Sequence, residues 1–277
     1  MSPLVSINIP TFNSEKILEA TLESVFNSCI NLEALKNKEF VRGIEIIVID
    51  SYSSDRTLQI AKRYGAKIVM CNGKLLEARI AGVNASKGKY VLFLDSDQTL
   101  GQSAIIRAVE KMKKYDYLWF YERSKNKGFL PSLYDADRIL TQKYLEEGVV
   151  LPRFFKRSLL LKAIKKIPKQ HIPVCGAQDH IVLHHEVRKI SKKIGKVEHA
   201  VWHFEPDSLL KLFKKQYRWG KTTRAFYDRN IYRVLITKKN CFRSFYKDDL
   251  MLSFKSFILR IFRGVPYIIG FYLVGKR

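Results

Sequence analysis

Along the first hundred positions, apolar residues gather into short dense runs, separated by stretches in which they recur every three or four residues. Leu4 to Ile9, Ile44 to Ile49, Lys67 to Met70 and Tyr90 to Leu94 are of the first kind. Their β-branched and aromatic content predicts strands, most of them buried on both faces. Between them, Leu18, Leu22, Val25 and Phe26, then Leu58, Ile60 and Ala61, then Leu75, Leu76, Ala78, Ile80 and Val83 fall at helical spacing. Strand and helix in alternation predict an α/β fold: a doubly wound, mostly parallel sheet flanked by helices, with right-handed crossovers. Polar loops follow three of the strands, at Asn13, Asp50 and Asp95. Ligands in such sheets bind beyond the carboxyl ends of strands, so one cleft is expected there.

The pattern changes further along. Residues His180 to Ile190 and Leu209 to Trp219 predict helices, the second with Leu210, Phe213 and Tyr217 packed inward. His180, His184, His185 and Glu186 lack the His-Glu-x-x-His spacing and are expected to form a partly exposed helix face. From Ile231 to Arg277, ten Lys/Arg stand against only Asp248 and Asp249, interleaved with Phe242, Phe245, Phe254, Phe257, Ile261 and other apolar residues. That is the pattern of a basic, amphipathic helical appendage in a membrane interface. Its longest apolar run, Val265 to Val274, holds Pro266 and Gly270 and is well short of the roughly 20 residues that span a bilayer, so no transmembrane helix is expected. Three parts follow: residues 1–101, 102–230 and 231–277.

Charge sharpens this division. Of the net charge of +24, residues 1–101 contribute +1 and the remainder +23. So one-sided a field draws polyanions: nucleic acid, an anionic membrane surface or phosphorylated substrates. No nucleic-acid-reading motif is evident. Met1 leads directly into the first strand without a basic leader, and the cysteines Cys29, Cys71, Cys175 and Cys241 are scattered without a Cys-x-x-Cys pair. A cytoplasmic protein with reduced thiols is expected.

Asp95-Ser96-Asp97 ends the Tyr90–Leu94 strand on two carboxylates, which can hold a hard cation or cap the next helix. No Gly-x-Gly-x-x-Gly follows the first strand and no Gly-x-x-x-x-Gly-Lys-Ser/Thr occurs anywhere. A bound nucleotide would therefore need its phosphates neutralised by Mg²⁺ or Mn²⁺ and by side chains.

Four segments, taken in order, resemble the family 2 glycosyltransferases of GT-A fold: Ile9-Pro10-Thr11-Phe12-Asn13, Val48 to Thr57, Ala78-Arg79, and Gly88 to Asp97. The resemblance implies a nucleotide-sugar donor lined by Pro10, Thr11, Asn13, Asp50, Arg79, Asp95 and Ser96, with metal ligands Asp95, Asp97 and His203. Ser51 stands where the family more often has a second aspartate, leaving uracil or guanine open. Gly176-Ala177-Gln178-Asp179 is similar to the family's Glu-Asp pair, with Gln178 replacing the glutamate, and implies Asp179 as general base; the residue could equally cap the following helix. His203 could likewise be a packed core histidine. Lys215 to Trp219 resembles the Gln/Arg-x-x-Arg-Trp motif with Lys215 in the first place, implying Arg218 and Trp219 at the acceptor or diphosphate.

The activity so implied is metal-dependent, inverting transfer of a sugar from a UDP- or GDP-linked donor to a lipid-linked or polyprenyl-phosphate acceptor. It would take place on the inner face of the cell membrane. A nucleotidyltransferase, or a non-enzymatic membrane- or nucleic-acid-binding protein on the same scaffold, is the alternative.

Overall fold

The computed structural model describes residues 2–29, 43–144, 152–229, 232, 235 and 245–273. Phe242 and Cys241, named above, lie outside them. Eight strands form one sheet in the order β3-β2-β1-β4-β7-β6-β8-β5. They are β1 (Val5–Thr11), β2 (Ile44–Asp50), β3 (Lys67–Met70), β4 (Tyr90–Phe93), β5 (Gln98–Leu100), β6 (Tyr117–Ser124), β7 (Pro152–Lys156) and β8 (Ile194–His203). The first four pair in parallel, as expected. Beyond them β7 runs antiparallel to β4 and β6, and β5 antiparallel to β8, so the sheet is mixed. The expected boundary near residue 101 is crossed by the sheet itself, because β5 pairs with β8.

Side chains alternate across the strands and fill two layers. Leu92 and Leu94 join α1 (Leu18–Asn27), α2 (Thr57–Arg63) and α4 (Ala104–Lys111) on one face. Val91 and Phe93 join α3 (Leu75–Ala85), α6 (Arg157–Ile164) and α7 (Asp179–Ile190) on the other. A third cluster lies outside the sheet. There Leu130, Leu133 and Tyr134 of α5 (Phe129–Tyr144) meet Leu212 of α8 (Leu209–Arg229) and Leu259 of α9 (Leu250–Leu273).

Two expectations about helix faces are corrected here. On α8, Leu210, Phe213 and Tyr217 are exposed, while Leu212, Gln216, Gly220 and Thr223 face inward. The reason is backbone contact: a Cβ on Gly220 would lie 2.1 Å from the Tyr267 carbonyl of α9, and one on Gly270 would lie 2.2 Å from the Tyr217 carbonyl of α8. Only small residues permit that approach, so the bulky ones turn outward. Gly270→Ala should therefore force α8 and α9 apart, costing about 1–3 kcal/mol and lowering the midpoint of thermal unfolding; an unchanged midpoint would refute the contact. On α7, His184 and Glu186 are buried rather than partly exposed. His184 packs edge-on to Tyr117, and burial, with Arg188 nearby, pushes its imidazole down to about 4. Glu186 accepts from Tyr232 at 2.9 Å.

The carboxyl-terminal helix α9 is continuous through Pro266 over 24 residues. With the preceding 3-10 turn it is long and apolar enough, by length and composition, to cross a membrane, which the broken apolar run in the sequence did not suggest. It docks along α5 and α8, where Ser256 donates to Asp137 at 2.6 Å.

Candidate active site

Parallel pairing of β1, β2 and β4 brings their carboxyl ends side by side, and the loops beyond them are tied to one another. Asn13, with φ of 48°, donates its backbone N–H to Ser53 Oγ at 2.8 Å and accepts from the Ser54 N–H at 2.9 Å. Ser14 donates to Ser96 Oγ at 3.0 Å. Asp50 is wholly buried and accepts from Thr11 Oγ1, Ser53 N–H and Ser53 Oγ at 2.8, 2.7 and 2.6 Å. Its carboxylate thus shapes the loop from beneath. Pro10 is half-buried beside it. Two exposed aromatic rings stand at this edge beside the exposed Asn13 and Ser54: Phe12 and Tyr52, 62% and 61% exposed. Tyr52 holds a left-handed φ of 60°, a conformation costly for a bulky side chain and characteristic of functional loops.

Beyond β4 an alternating chain of charges begins. Arg79 of α3, 5% exposed, donates from Nε to Asp179 and from Nη2 to Asp95 at 2.8 Å, with Phe93 under its guanidinium. Its Nη1 has no protein partner. Arg153 donates to the other Asp95 oxygen at 3.2 Å and to Glu122 at 2.7 Å. Arg138 joins Glu122 to Glu205, reaching the latter at 2.6 Å. Glu205 lies 3.7 Å from His203 Nδ1, His203 Nε2 lies 3.6 Å from Asp97, and Lys215 of α8 lies 4.0 Å from Asp97 on the other side.

Protonation follows from this pairing. Burial raises the Asp95 carboxyl, but Arg79 and Arg153 outweigh it and hold the group well below the usual carboxylate range. Burial likewise opposes ionisation of Asp179, and Arg79 and His180 more than offset it, so its pKa is lowered. Glu122 is brought down to about 2 by Arg153 and Arg138 against its burial. Ionised carboxylates at this depth require such partners.

Asp97 and His203 meet because β5 runs beside β8: Gln98 pairs with His203, and the Phe204 N–H donates to the Asp97 carbonyl at 2.9 Å. His203 Nδ1 faces the Phe204 carbonyl at 3.1 Å. A carbonyl only accepts, so Nδ1 carries a proton and Nε2, which faces Asp97, is the nitrogen placed to bind a metal. One carboxylate, its side chain 36% exposed, and one imidazole suit Mg²⁺ or Mn²⁺, which bind few protein ligands and complete their shell with water and substrate phosphate. Among the described residues no group of three or more His, Cys, Asp or Glu converges for a metal. Asp95, expected as a ligand, is committed instead to two guanidinium groups.

The N-cap position of α7 is held by Gln178; Asp179 is the first helical residue, its carboxylate bonded to Arg79 and His180. Gln178 donates to Thr223, so the neutral amide fastens α7 to α8. Trp219 is half-buried with Lys215 Nζ 5.3 Å from its ring centroid, whereas Arg218 points to the exposed side of α8. The motif reading thus reaches the site through Lys215 and Trp219 and leaves Arg218 outside. Arg153, Glu122 and Arg138 were missed altogether. The signal for Arg153 was its charge inside the apolar string Pro152-Arg153-Phe154-Phe155, since an arginine in a core strand needs a buried partner.

A family model described as "Glycosyl transferase family 2" matches residues 6–145. The chain belongs to this family. Similar curated proteins include the uncharacterized glycosyltransferase EpsJ of Bacillus subtilis, 28% identical over 158 residues that cover 53% of this chain and 43% of EpsJ. Another is the poly(ribitol-phosphate) β-N-acetylglucosaminyltransferase TarP of Staphylococcus aureus, 33% identical over 118 residues, covering 40% of this chain and 32% of TarP. The chain thus spans less than half the length of these two relatives. Among solved structures, Staphylococcus aureus TarS 1–349 in complex with UDP superposes with a TM-score of 0.53 at 15% identity, over 99% of this chain and 92% of that one. Glucosyl-3-phosphoglycerate synthase of Mycobacterium tuberculosis, with Mn²⁺, UDP and phosphoglyceric acid, gives 0.55 at 18% identity over 82% and 78%. These likenesses establish the GT-A fold expected for this family 2 glycosyltransferase.

Proposed function

We propose that the protein transfers a sugar, with inversion, from a UDP-linked donor to a hydroxyl of a lipid-linked acceptor at the inner face of the membrane. The observation that carries this reading is the meeting of Asp97, His203 and Lys215 beside the carboxyl ends of the parallel strands. The nucleotide lies across those ends, its base against Phe12 and Tyr52 and its ribose over the Asn13 and Asp50 loops. UDP rather than GDP is favoured because TarS and the mycobacterial synthase were crystallised with UDP.

Asp97 and His203 would hold Mg²⁺ or Mn²⁺, which when bound neutralises charge on the departing diphosphate. Lys215, held against Trp219 and Asp97, adds a second cation beside the leaving group. Asp179, kept ionised by Arg79, is the carboxylate assigned to take the proton from the attacking hydroxyl; it is buried with its two oxygens on Arg79 and His180, so the acceptor must displace one of these contacts to reach it. A phosphate acceptor is already ionised and needs no such base, so Asp179 favours a hydroxyl acceptor, as on a lipid-linked glycan. Displacement in a single step inverts the anomeric carbon.

Calorimetry with UDP- and GDP-sugars, with and without Mn²⁺ or Mg²⁺, tests the donor and metal. Asp97→Ala is expected to remove the metal-dependent part of UDP-sugar affinity, on the order of tenfold to a hundredfold. Equal affinity in the variant and the parent protein would refute the metal assignment, and the absence of any nucleotide-sugar binding would refute the function.

A further inference from the structure

Helix α9 is inside-out. Its buried positions are Ser253, Ser256, Leu259, Pro266 and Gly270, a face rich in small and polar residues. Its outer face carries Met251, Phe254, Ile261, Val265, Ile268 and Tyr272, between 49% and 74% exposed. With Phe257, 40% exposed, between Phe254 and Ile261, these recur at three- and four-residue intervals along the whole helix, which at about 1.5 Å per residue is roughly 36 Å long. A helix folding only against its own domain would bury that stripe and expose the serines. Continuous apolar surface of this kind marks a contact with something else.

The stripe continues onto α8. Leu210, Phe213 and Tyr217 are exposed there, and the Tyr217 carbonyl lies against Gly270 of α9, so the two helices present neighbouring apolar rows. Beside the α8 row, Lys214, Arg218 and Lys221 are exposed at helical spacing. On α9 the basic residues Lys255, Arg260 and Arg263 lie at the flanks, the two arginines within 3.6 and 3.8 Å of Asp137 on α5. Apolar rows bordered by lysine and arginine, in a chain whose charge is concentrated beyond residue 101, complement an anionic bilayer. The docked, polar inner face argues against crossing: a spanning α9 would take Ser256, Asp137 and two arginines into hydrocarbon.

We infer that α8 and α9 together form a lipid-docking face on which α9 lies flat in the headgroup region of an anionic membrane, its outer stripe inserted and its inner face still packed on α5 and α8. This rests on the membrane-surface reading proposed above and deepens it. The arrangement assigns a role to Arg218, which the catalytic cleft does not use. It also makes α8 a shared element, with Lys215 and Trp219 toward the leaving group and Leu210, Phe213 and Tyr217 toward lipid. An acceptor whose lipid tail remains in the bilayer would approach along that helix.

The test is flotation of the full chain with vesicles of phosphatidylcholine alone and of a phosphatidylcholine–phosphatidylglycerol mixture. Binding is expected to the mixed vesicles, weaker by about tenfold or more to the neutral ones. The combined variant Phe254→Glu, Ile261→Glu, Ile268→Glu should lose binding by more than about a hundredfold. Lys214→Glu with Lys221→Glu should erase the preference for anionic lipid. Alkaline carbonate should release the bound protein. Equal binding to both vesicle types, retention of the triple variant, or resistance to carbonate would each overturn the inference. So would light scattering that shows a dimer which the triple variant dissociates, since the stripe would then bind a second copy. UDP calorimetry and circular dichroism on the same samples keep this outcome separate from failure of the fold or of the glycosyltransferase reading.

Discussion

Asp179→Asn lowers transfer to a hydroxyl acceptor by about 10²- to 10⁴-fold, the usual contribution of a positioned base, while UDP-sugar affinity stays unchanged. Asparagine keeps an oxygen for the Arg79 Nε–H and the shape of the junction, and Arg79 retains Asp95, so the variant removes the basicity together with one charge of the buried pair. Single-turnover transfer alongside donor calorimetry separates the two effects, and a variant with full turnover would exclude Asp179 as the base. The pH profile carries the same information. Arg79 and His180 hold the Asp179 carboxyl below its ordinary value despite burial, so the base remains ionised as pH falls through the usual carboxylate range. The acid limb of kcat/KM should therefore lie below about 4, the unperturbed aspartate value.

Arg79→Leu is expected to destabilise the protein by about 3–5 kcal/mol, the cost of stripping the partner from buried charge. Among the ion pairs of the described residues, Arg79 alone links Asp95, at the end of β4, to Asp179, at the start of α7. Without it Asp179 keeps only His180, and Asp95 keeps only Arg153 and the more distant His203. Both carboxyls then rise toward protonation. Because both are depressed in the folded protein, their stabilisation is complete above the unfolded value of about 3.9 and is lost as pH falls toward the folded values. In Arg79→Leu, with both folded values brought back toward the unfolded one, that acid-side loss should shrink, so the two proteins differ most above about pH 4 and converge as the pH falls. Thermal melts of the two proteins across the acid range measure both effects; matching melts would mean that the junction bears no energetic weight.

Much of the amino-terminal, parallel part of the sheet was legible because its signals are local. Short, predominantly apolar runs become core strands, and polar residues soon after them lie at strand ends, as Asn13, Asp50 and Asp95 do. Long-range pairing was less legible. Asp95 reads in the sequence as a metal ligand alongside Asp97, yet Arg79 and Arg153 take up its oxygens and leave Asp97 open to the cleft. On α8 the apolar spacing was read correctly and its direction was not, because a glycine contact with α9 decides which side faces inward.

The sequence by itself thus determined the parallel core, the order of its loops and the residue types able to grip a diphosphate, since these depend on periodicity and neighbours a few positions apart. Only the tertiary structure decided which carboxylate is free, that Lys215 reaches Asp97, and that α9 turns its apolar side outward. Those outcomes depend on which distant groups meet at hydrogen-bond or van der Waals distance, and no local pattern encodes that meeting.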